Sequence, residues 1–332
     1  QQVQADPGRP LHQPALRPDL GGSSAVRGVG PGEALAHVFG RQDNGPTQAR
    51  VSVLYDVGHD LVVDTQVAAT CVGEHELAIE HLALARTGDL LVYDRGYPAF
   101  WFFALHLARG VDFCMRLPRN RFGAAKTFWD SEETSTVITL APSREQRRAC
   151  RDQDIPDAPL RVRLVRVRLP GGECEVLATS VLEEQRLPAR LFAPLYHRRW
   201  GVEEHYKRQK RWAEIENFSG RSVLAVRQDI HAKILAMNLA AMVRQVAQLI
   251  ASRRFAKRTY HYKVRASSAL SIMKDNLVRL LNHDSVDRRH LLEALLRQLA
   301  SAVEAVRPER TFPRANPGQL KPGFHMAYKR LA

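Results

Sequence analysis

The order of apolar segments along this 332-residue chain predicts an α/β protein in which helices flank a mixed sheet. Three observations support this fold class. Strand-like runs alternate with helix-like segments between about residues 49 and 118, three further strand-like runs come next, and the rest of the chain is mostly helical. The length suggests about two domains, and a 45% hydrophobic content is enough to bury a substantial core.

The first forty or so residues are rich in Pro, Gly and other small residues and show almost no periodicity, which predicts irregular structure. The sequence does not begin with Met, so we expect a fragment or a processed product. From Ala49 the pattern changes. The β-branched runs "ARVSVLYDV" and "LVVDTQVA" are separated by "GHD", and together they predict a β-hairpin.

The next segments alternate between helix and strand. "EHELAIEHLALAR" has apolar residues at helical spacing, and "GDLLVYD" is a continuous apolar run that predicts a buried central strand. "PAFWFFALHLARG" predicts a helix with Pro98 at its first position and Gly110 at its C-cap. "VDFCMRLP" predicts the strand that follows this helix.

The middle of the chain is rich in predicted strands, which are "STVITLAP", "LRVRLVRVRLP" and "GECEVLATSVL". The run "RVRLVRVRL" alternates basic and apolar residues, so we expect one buried face and one strongly positive face. Beyond it, "LPARLFAPLYHRRWGVEEHYKRQKRWAEI" predicts a helix, and further helices extend to about Arg307, before a basic tail expected to form an extended arm.

These changes in pattern divide the chain into five expected segments. They are an irregular N-terminal remnant (1–44), the first part of a catalytic core (45–118), a β-rich insertion (119–188), a helical completion of the core (189–252), and C-terminal helices with the basic tail (253–332).

A formal net charge of +14 and a pI near 10.0 are the strongest signals in the composition. Excess Lys and Arg favour a polyanionic partner through counterion release, and nucleic acid is the leading candidate. An anionic membrane surface is the alternative, but it would favour a basic amphipathic helix or a juxtamembrane cluster, and the positive charge here is spread along the second half of the chain. No apolar run reaches the roughly 18 residues of a membrane span, and we expect a cytoplasmic protein. Four cysteines, scattered singly, argue against a zinc ribbon or a disulfide framework.

The stretch "YHRRWGVEEHYKRQK" places two acids within a basic helix-like segment. On an ideal helix Tyr196, Arg199, Glu203 and Lys210 would fall within an arc of about 60°. An acid flanked by a phenol, a guanidinium and an ammonium suits a metal ion held beside a phosphodiester. The alternative is a solvated helix whose acid pairs with nearby bases.

A second acid, Asp94, ends the apolar run "LLVY". Ligands of open α/β sheets bind where strands end, although a turn or capping role would also explain an acid there. The pattern Tyr-x2-Arg-x3-Glu-x6-Lys formed by the residues above, together with "DRGYPAFWFFALHLARGVDFCMRL", resembles the DDE transposases of the insertion-sequence-four family. The resemblance extends from about Ala36 to Ala332.

This resemblance implies a ribonuclease-H-like fold with a β-rich insertion before the last acid. Three acids would bind two Mg²⁺ ions, or Mn²⁺ ions in their place. Asp94 and Glu203 would be the second and third acids, and the two metals would carry out phosphoryl transfer. Residues implied to hold DNA are Tyr196, Arg199 and Lys210, to which we add Lys207 and Arg95.

The resemblance further implies double-stranded DNA as partner, both transposon terminal inverted repeats and target DNA. It also implies two subunits in a synaptic complex and a nucleoid-associated location in a bacterium. Two other functions stay open. One is a truncated, inactive relic that still binds DNA, and the other is a nuclease that cuts without joining.

The first acid is where the sequence departs from the family pattern. An Asp-Gly-Ser/Thr context is expected, but the chain reads "DLGGSS", with Gly21 at the aspartate position and Asp19 two residues earlier. Asp19 is our candidate, although two residues of strand would displace its carboxylate by about 6.5 Å. Asp56 and Asp64 are the fallback candidates, and hairpin or edge-strand polar roles also explain them.

Overall fold

The strand that leads to Asp94 is part of a mixed β-sheet. The computed structural model describes residues 24–26, 33–41, 47–169, 172–282 and 284–307, and these divide into two units. The first unit contains Val53–Gly58 and Gly73–Glu203. The second contains the described residues of Ser23–Ser52, His59–Val72 and Glu204–Ala332. The five-segment division expected from the sequence stays a prediction.

The first unit alternates strands and helices before its second group of strands. Its elements are the end of β2 (Ala49–Asp56), α2 (Glu74–Leu82), β4 (Leu90–Tyr93), α3 (Phe100–Ala108), β5 (Asp112–Arg116), α4 (Lys126–Trp129), β6 (Ser135–Leu140), α5 (Arg144–Asp152), β7 (Leu160–Arg168), β8 (Cys174–Thr179), α6 (Phe192–His197) and the start of α7 (Trp200–Arg211).

The second unit is mostly helical. Its elements are β1 (Ser24–Val26), α1 (Glu33–Phe39), the start of β2, β3 (Leu61–Ala69), the rest of α7, α8 (Val223–Arg254), β9 (His261–Val264), α9 (Ala266–Asn282), α10 (Ser285–Ser301) and β10 (Val303–Val306). The strand order β1–β2–β3 includes the expected hairpin neighbours, and β9 pairs antiparallel with β10.

The mixed sheet has the order β4–β5–β8–β7–β6 in the described part of the chain. Strands β4 and β5 are parallel, and the other neighbours are antiparallel. The strands of the expected insertion therefore extend the sheet that β4 begins. With its flanking helices and the helical region that follows, this confirms the predicted α/β class and is consistent with the ribonuclease-H-like fold.

Strand β4 is buried as predicted, but it is not central. It lies at the end of the mixed sheet in the described residues, while Leu91 and Tyr93 pack into one apolar cluster and Leu90 and Val92 into another. The continuous apolar run results from burial of both faces and carries no information about sheet order.

Helix α3 begins two residues later than predicted. Ala99 is its N-cap, so Pro98 precedes the helix and is not its first residue. Gly110 lies just beyond the C-cap residue Arg109 with φ of +65°, a left-handed conformation that glycine adopts without a steric penalty.

The expectation that β7 has one strongly positive solvent face was wrong. The alternation breaks at the neighbouring Leu164 and Val165, and both are buried. The side chain of Arg163 is also buried, where it donates to Ser135 Oγ at 2.7 Å, to the Leu187 carbonyl at 2.8 Å and to Glu184. A guanidinium can lie inside a protein when such partners satisfy it.

A buried polar pair fixes the end of β4. His106 Nδ1 lies 2.7 Å from the carbonyl oxygen of Phe102, which can only accept, so this nitrogen carries the proton. Nε2 then accepts from the Tyr93 hydroxyl at 2.8 Å. Burial, opposed in part by the Phe102 bond and reinforced by the nearby charge of Arg109, lowers the pKa of His106 to about 4.

In the second unit, a cluster of charged side chains links the residue before β3 to α7 and α8. Asp60, in the left-handed region at φ of +58°, accepts from Arg208 at 2.6 and 2.7 Å and from Arg244 at 2.8 Å. All three side chains are largely buried. Burial, reinforced by the charge of Arg208 and opposed by that of Asp60, lowers the pKa of the neighbouring His205 to about 4.

Helix α8 is long and apolar enough to cross a membrane, judged by length and composition alone, which the sequence reading did not anticipate. A core helix can pass the same test, and α8 packs against α9 and α10 through the apolar cluster that contains Met237 and Leu270. Its polar residue Asn238 exchanges two hydrogen bonds of 2.8 Å with the backbone of Val62.

We expect His106 to make the stability of the first unit sensitive to acid. The unfolded chain takes up a proton near the ordinary pKa of 6.5, whereas the folded chain does so only near 4, so stability is lost as pH falls through this window. Between pH 7 and 5, wild-type protein should lose about 2 kcal/mol more unfolding free energy than His106→Gln. Urea unfolding at each pH measures this, with the exposed His290→Gln as control. Equal losses in wild type and His106→Gln would contradict the assignment.

We expect Asp60→Asn to lower the free energy of unfolding by about 2 to 4 kcal/mol, because it leaves two largely buried guanidinium groups without their shared carboxylate. Asn tolerates the left-handed backbone, so the change tests the charge. The matched control is Asp152→Asn, whose exposed pair with Arg148 should contribute no more than about 0.5 kcal/mol. Similar urea unfolding curves for the two variants would refute a structural role for the cluster.

Candidate active site

Asp94 lies where β4 ends and the chain turns towards α3. Its Oδ1 accepts from the backbone N–H of Arg95 at 2.7 Å, and its carbonyl accepts from the N–H of Tyr97 at 3.2 Å. Asp94 is partly exposed, and Arg95 and Gly96 are exposed. Because β4 and β5 are parallel, this turn lies at the edge of the sheet where open α/β proteins bind ligands.

Helix α6 packs against the same strand. Leu195 and Tyr196 belong to the apolar cluster that covers Leu90 and Val92. Tyr196 is buried, and its hydroxyl donates to the carbonyl oxygen of Tyr93 at 3.3 Å. This bond connects α6 to the residue immediately before Asp94.

Arg199 connects Tyr196 to Glu203. Its guanidinium is buried, lies 5.7 Å from the centroid of the Tyr196 ring and 5.4 Å from that of Trp200, and donates to Glu203 Oε1 at 2.9 Å. The Glu203 side chain is 37% exposed. Contacts therefore run without interruption from the end of β4 to Glu203, all within the first unit.

The single helix expected over Tyr196 to Lys210 was wrong, because α6 ends at His197 and α7 begins at Trp200. The join is a tight turn in which the N–H of Arg199 bonds to the carbonyl of Tyr196 at 3.0 Å. The ideal arc of about 60° does not apply across this turn. Arg199 instead brings Tyr196 and Glu203 together through its own side chain.

The other charged residues of α7 lie in the second unit. Glu204 accepts from Lys207 Nζ at 2.5 Å, and both side chains are more than half exposed. Lys210 Nζ lies 3.5 Å from a carboxylate oxygen of Glu216. Glu203 and Glu204 are adjacent in the sequence, but each pairs with a different basic residue, Glu203 with Arg199 and Glu204 with Lys207.

In the part of the chain that is described, the structure does not identify a third metal ligand among the candidates for the first acid. Asp19 lies outside the described residues, as does Gly21. Asp56 ends β2 and accepts from the N–H of Gly58 at 2.9 Å, a turn contact, and Asp64 on β3 accepts from Gln66 at 2.7 Å. Within the described ranges, no group of three or more His, Cys, Asp or Glu side chains is arranged to hold a metal ion.

Asp94 and Glu203 nevertheless have the chemistry of magnesium ligands. Both are carboxylates, the hard oxygen donors that Mg²⁺ prefers, and neither is fully buried. An ionised carboxylate offers about four lone-pair positions, so one hydrogen bond from Arg95 or Arg199 leaves capacity for a cation. The two acids fit a divalent metal as part of its ligand set.

The sequence reading missed the buried support behind Asp94. Tyr93 is held through its hydroxyl by His106 and through its carbonyl by Tyr196. The one available signal was a histidine within the otherwise apolar α3 sequence "FWFFALHLA", because a buried imidazole requires polar partners.

The chain matches a known protein family and is similar in fold to a solved transposase structure. Residues 27–239 match the transposase DDE domain, and no curated protein matches the chain. A cryo-EM structure of the piggyBac transposase synaptic complex with hairpin DNA is similar at 10% sequence identity, with a TM-score of 0.43. The similarity covers 85% of this chain and 57% of that chain. At this identity and TM-score it carries no argument about activity.

The family match is extensive. It covers well over half of the 332 residues and includes β4, α6, α7 and the strands between them. Both candidate acids, Asp94 and Glu203, lie inside it. The chain therefore belongs to the family of proteins with a transposase DDE domain.

Proposed function

We propose that this chain is a transposase of the insertion-sequence-four kind, which cuts DNA at transposon ends and joins those ends to target DNA. The observation that carries the proposal is the connected set of contacts that links the turn at Asp94 to Glu203 through Tyr196 and Arg199. Such an arrangement holds two distant acids in fixed positions, as metal-dependent phosphoryl transfer requires.

Asp94 and Glu203 would hold divalent cations, Mg²⁺ or Mn²⁺. Bound there, the cations would supply Lewis acidity to the attacking hydroxyl and to the leaving oxygen of the phosphodiester. Arg199 restrains the Glu203 carboxylate by a charged hydrogen bond, and its own position is fixed by burial against Tyr196 and Trp200. The turn at Arg95 fixes the Asp94 carboxylate through its backbone N–H.

The residues expected to hold DNA divide by exposure. Tyr196 and Arg199 are buried, which favours a positioning role for both. Arg95 and Lys207 are exposed and suit phosphate contacts, and Lys210, about one third exposed, is a further candidate. The proposal includes two subunits that act together on two DNA ends. It also places the protein at the nucleoid.

A DNA-binding relic without catalytic activity is the second candidate function. It is favoured by Gly21, which stands where the family pattern expects the first aspartate. Two acids alone give an incomplete ligand set for a pair of metals. The difference between the two functions therefore lies in the first acid.

Glu203→Gln should lower Mg²⁺-dependent nicking of supercoiled DNA by on the order of 100-fold or more, because it removes a proposed metal ligand. Glu204→Gln is the matched control, since this neighbour is exposed and pairs with Lys207, and it should retain activity within about threefold. Equal activity of Glu203→Gln and wild type would sink the assignment. Nicking that occurs only after Gly21→Asp would favour the relic.

Arg199→Lys should lower nicking at limiting Mg²⁺ by roughly 10-fold to 100-fold, with recovery at high Mg²⁺ or in Mn²⁺, since a lysine keeps the charge but loses the planar contacts that orient Glu203. The apparent metal affinity is the readout, because a general loss of folding would not be rescued by metal. Arg198→Lys, at an exposed neighbouring position, is the control. A defect in Arg199→Lys that is independent of metal concentration would argue against positioning.

A further inference from the structure

A strongly basic surface lies in the second unit where α8 ends and β9 begins. We propose that it binds the sugar-phosphate backbone of duplex DNA, at a site separate from the candidate catalytic acids. The basic platform consists of six exposed side chains, which are Arg253, Arg254, Lys257, Arg258, Lys263 and Arg265. The inference rests on the proposed function for the class of polymer that is bound.

The platform lies in a stretch of sequence that has only basic charged residues. Residues 253–265 contain six Lys or Arg side chains and no Asp or Glu. On α5, by contrast, the basic residues have acidic neighbours, since Arg147 pairs with Asp157 and Arg148 with Asp152. On the paired strand β10, Glu304 stands opposite Lys263. A concentration of positive charge of this kind attracts a polyanion through counterion release.

The backbone under the platform is fixed in place. Gln248 of α8 donates to the carbonyl of Tyr262 and accepts from the N–H of Val264, both at 2.8 Å. The rings of Phe255 and Tyr262 stack with centroids 5.0 Å apart, and Val264 is buried. Because the loop is already ordered, little conformational entropy is lost when it binds.

A shallow cavity of about 240 Å³ lies within this surface. Its lining includes possible hydrogen-bond donors from Arg258, Thr259, Tyr260 and His261, and its described lining contains no carboxylate. The volume is below the usual range for small-molecule pockets, which favours one segment of a polymer over an enclosed metabolite. Arg307 lies 5.7 Å from the centroid of the half-exposed Tyr260 ring and adds charge beside the cavity.

The exposed residues favour DNA over an anionic membrane. Surfaces that bind at a lipid interface combine basic residues with exposed Trp, Phe or Leu that enter the acyl region. Within residues 253–265, Val264 is buried, Phe255 is partly covered by Tyr262, and the exposed Tyr260 ring lies against Arg307, so the accessible surface is mostly polar. A surface dominated by hydrogen-bond donors, with no exposed Trp, Phe or Leu in this stretch, suits a phosphodiester backbone.

The test compares two variants of equal charge change in the full chain. The platform variant carries Lys257→Gln, Arg258→Gln and Lys263→Gln, and the control carries Arg144→Gln, Arg147→Gln and Arg148→Gln on α5. Binding to a short fluorescein-labelled duplex is followed by anisotropy between about 50 and 200 mM salt. Circular dichroism establishes that both variants are folded, and Lys257→Gln alone serves as a milder variant.

The platform variant should lose about 2 to 3 units of the slope of log affinity against log salt, with affinity at least roughly tenfold lower at about 0.1 M salt, and the α5 variant should stay close to wild type. Lys257→Gln alone should lose about one unit. Equal losses in the two triple variants, or none in the platform variant, would overturn the inference.

Phosphatidylserine vesicles provide a further arm, because a lipid headgroup offers the same phosphate chemistry. Vesicles that displace the duplex, and whose binding is lost in the platform variant, would assign the surface to lipid and overturn the inference. Nicking is measured separately. A chain that binds duplex through the platform but never nicks would disprove the proposed transposase chemistry and leave this inference intact.

Discussion

The hydrogen bond between the Tyr196 hydroxyl and the carbonyl of Tyr93 is the contact on which the candidate site depends. It joins a strand buried on both faces to the short helix that leads into α7. Tyr93 is held from behind by His106, and Arg199 stacks on Tyr196 before it reaches Glu203. Asp94 follows β4 and Glu203 lies on α7, and the contact between Tyr196 and Tyr93 adds a hydrogen bond to the apolar packing of α6 against β4.

Burial explains why this arrangement uses polar groups sparingly. Inside the sheet layer an unpaired hydroxyl or imidazole costs more than the hydrogen bond gains, and the Tyr93 hydroxyl, the His106 imidazole and the Tyr196 hydroxyl each have a defined partner. The second unit applies the same rule to charge. There Asp60 satisfies two arginines from different helices, and Asn238 satisfies both backbone groups of Val62.

Most strands and helices of the described chain could be predicted from periodicity, because alternation and helical spacing are local properties. The break between α6 and α7 could not, since Arg198 and Arg199 are compatible with a helix and the contact of Tyr196 with Tyr93 joins residues about a hundred positions apart. The burial of Arg163 could not be predicted either, because its acceptors at Glu184 and Leu187 lie more than twenty residues away.

The candidate site, like the fold, could be predicted from the sequence only in part. Asp94 and Glu203 could be found from residue types and family resemblance, and the family match covers both. Their support could not, because Tyr93 is an ordinary core residue by sequence, and a histidine in the apolar α3 sequence signals a polar partner without identifying it. Asp19, outside the described residues, stays a prediction.

The buried position of Arg163 has a consequence for how the β-rich insertion can evolve. Its guanidinium joins the middle strand of the insertion to Glu184 and Leu187, on the connector that leads into α6. Both partners lie within the expected insertion, residues 119–188, so this arginine holds the C-terminal end of the insertion to its own middle strand. A replacement insertion that lacked this arginine would leave the connector unanchored, so exchange between relatives would have to carry strand and connector together.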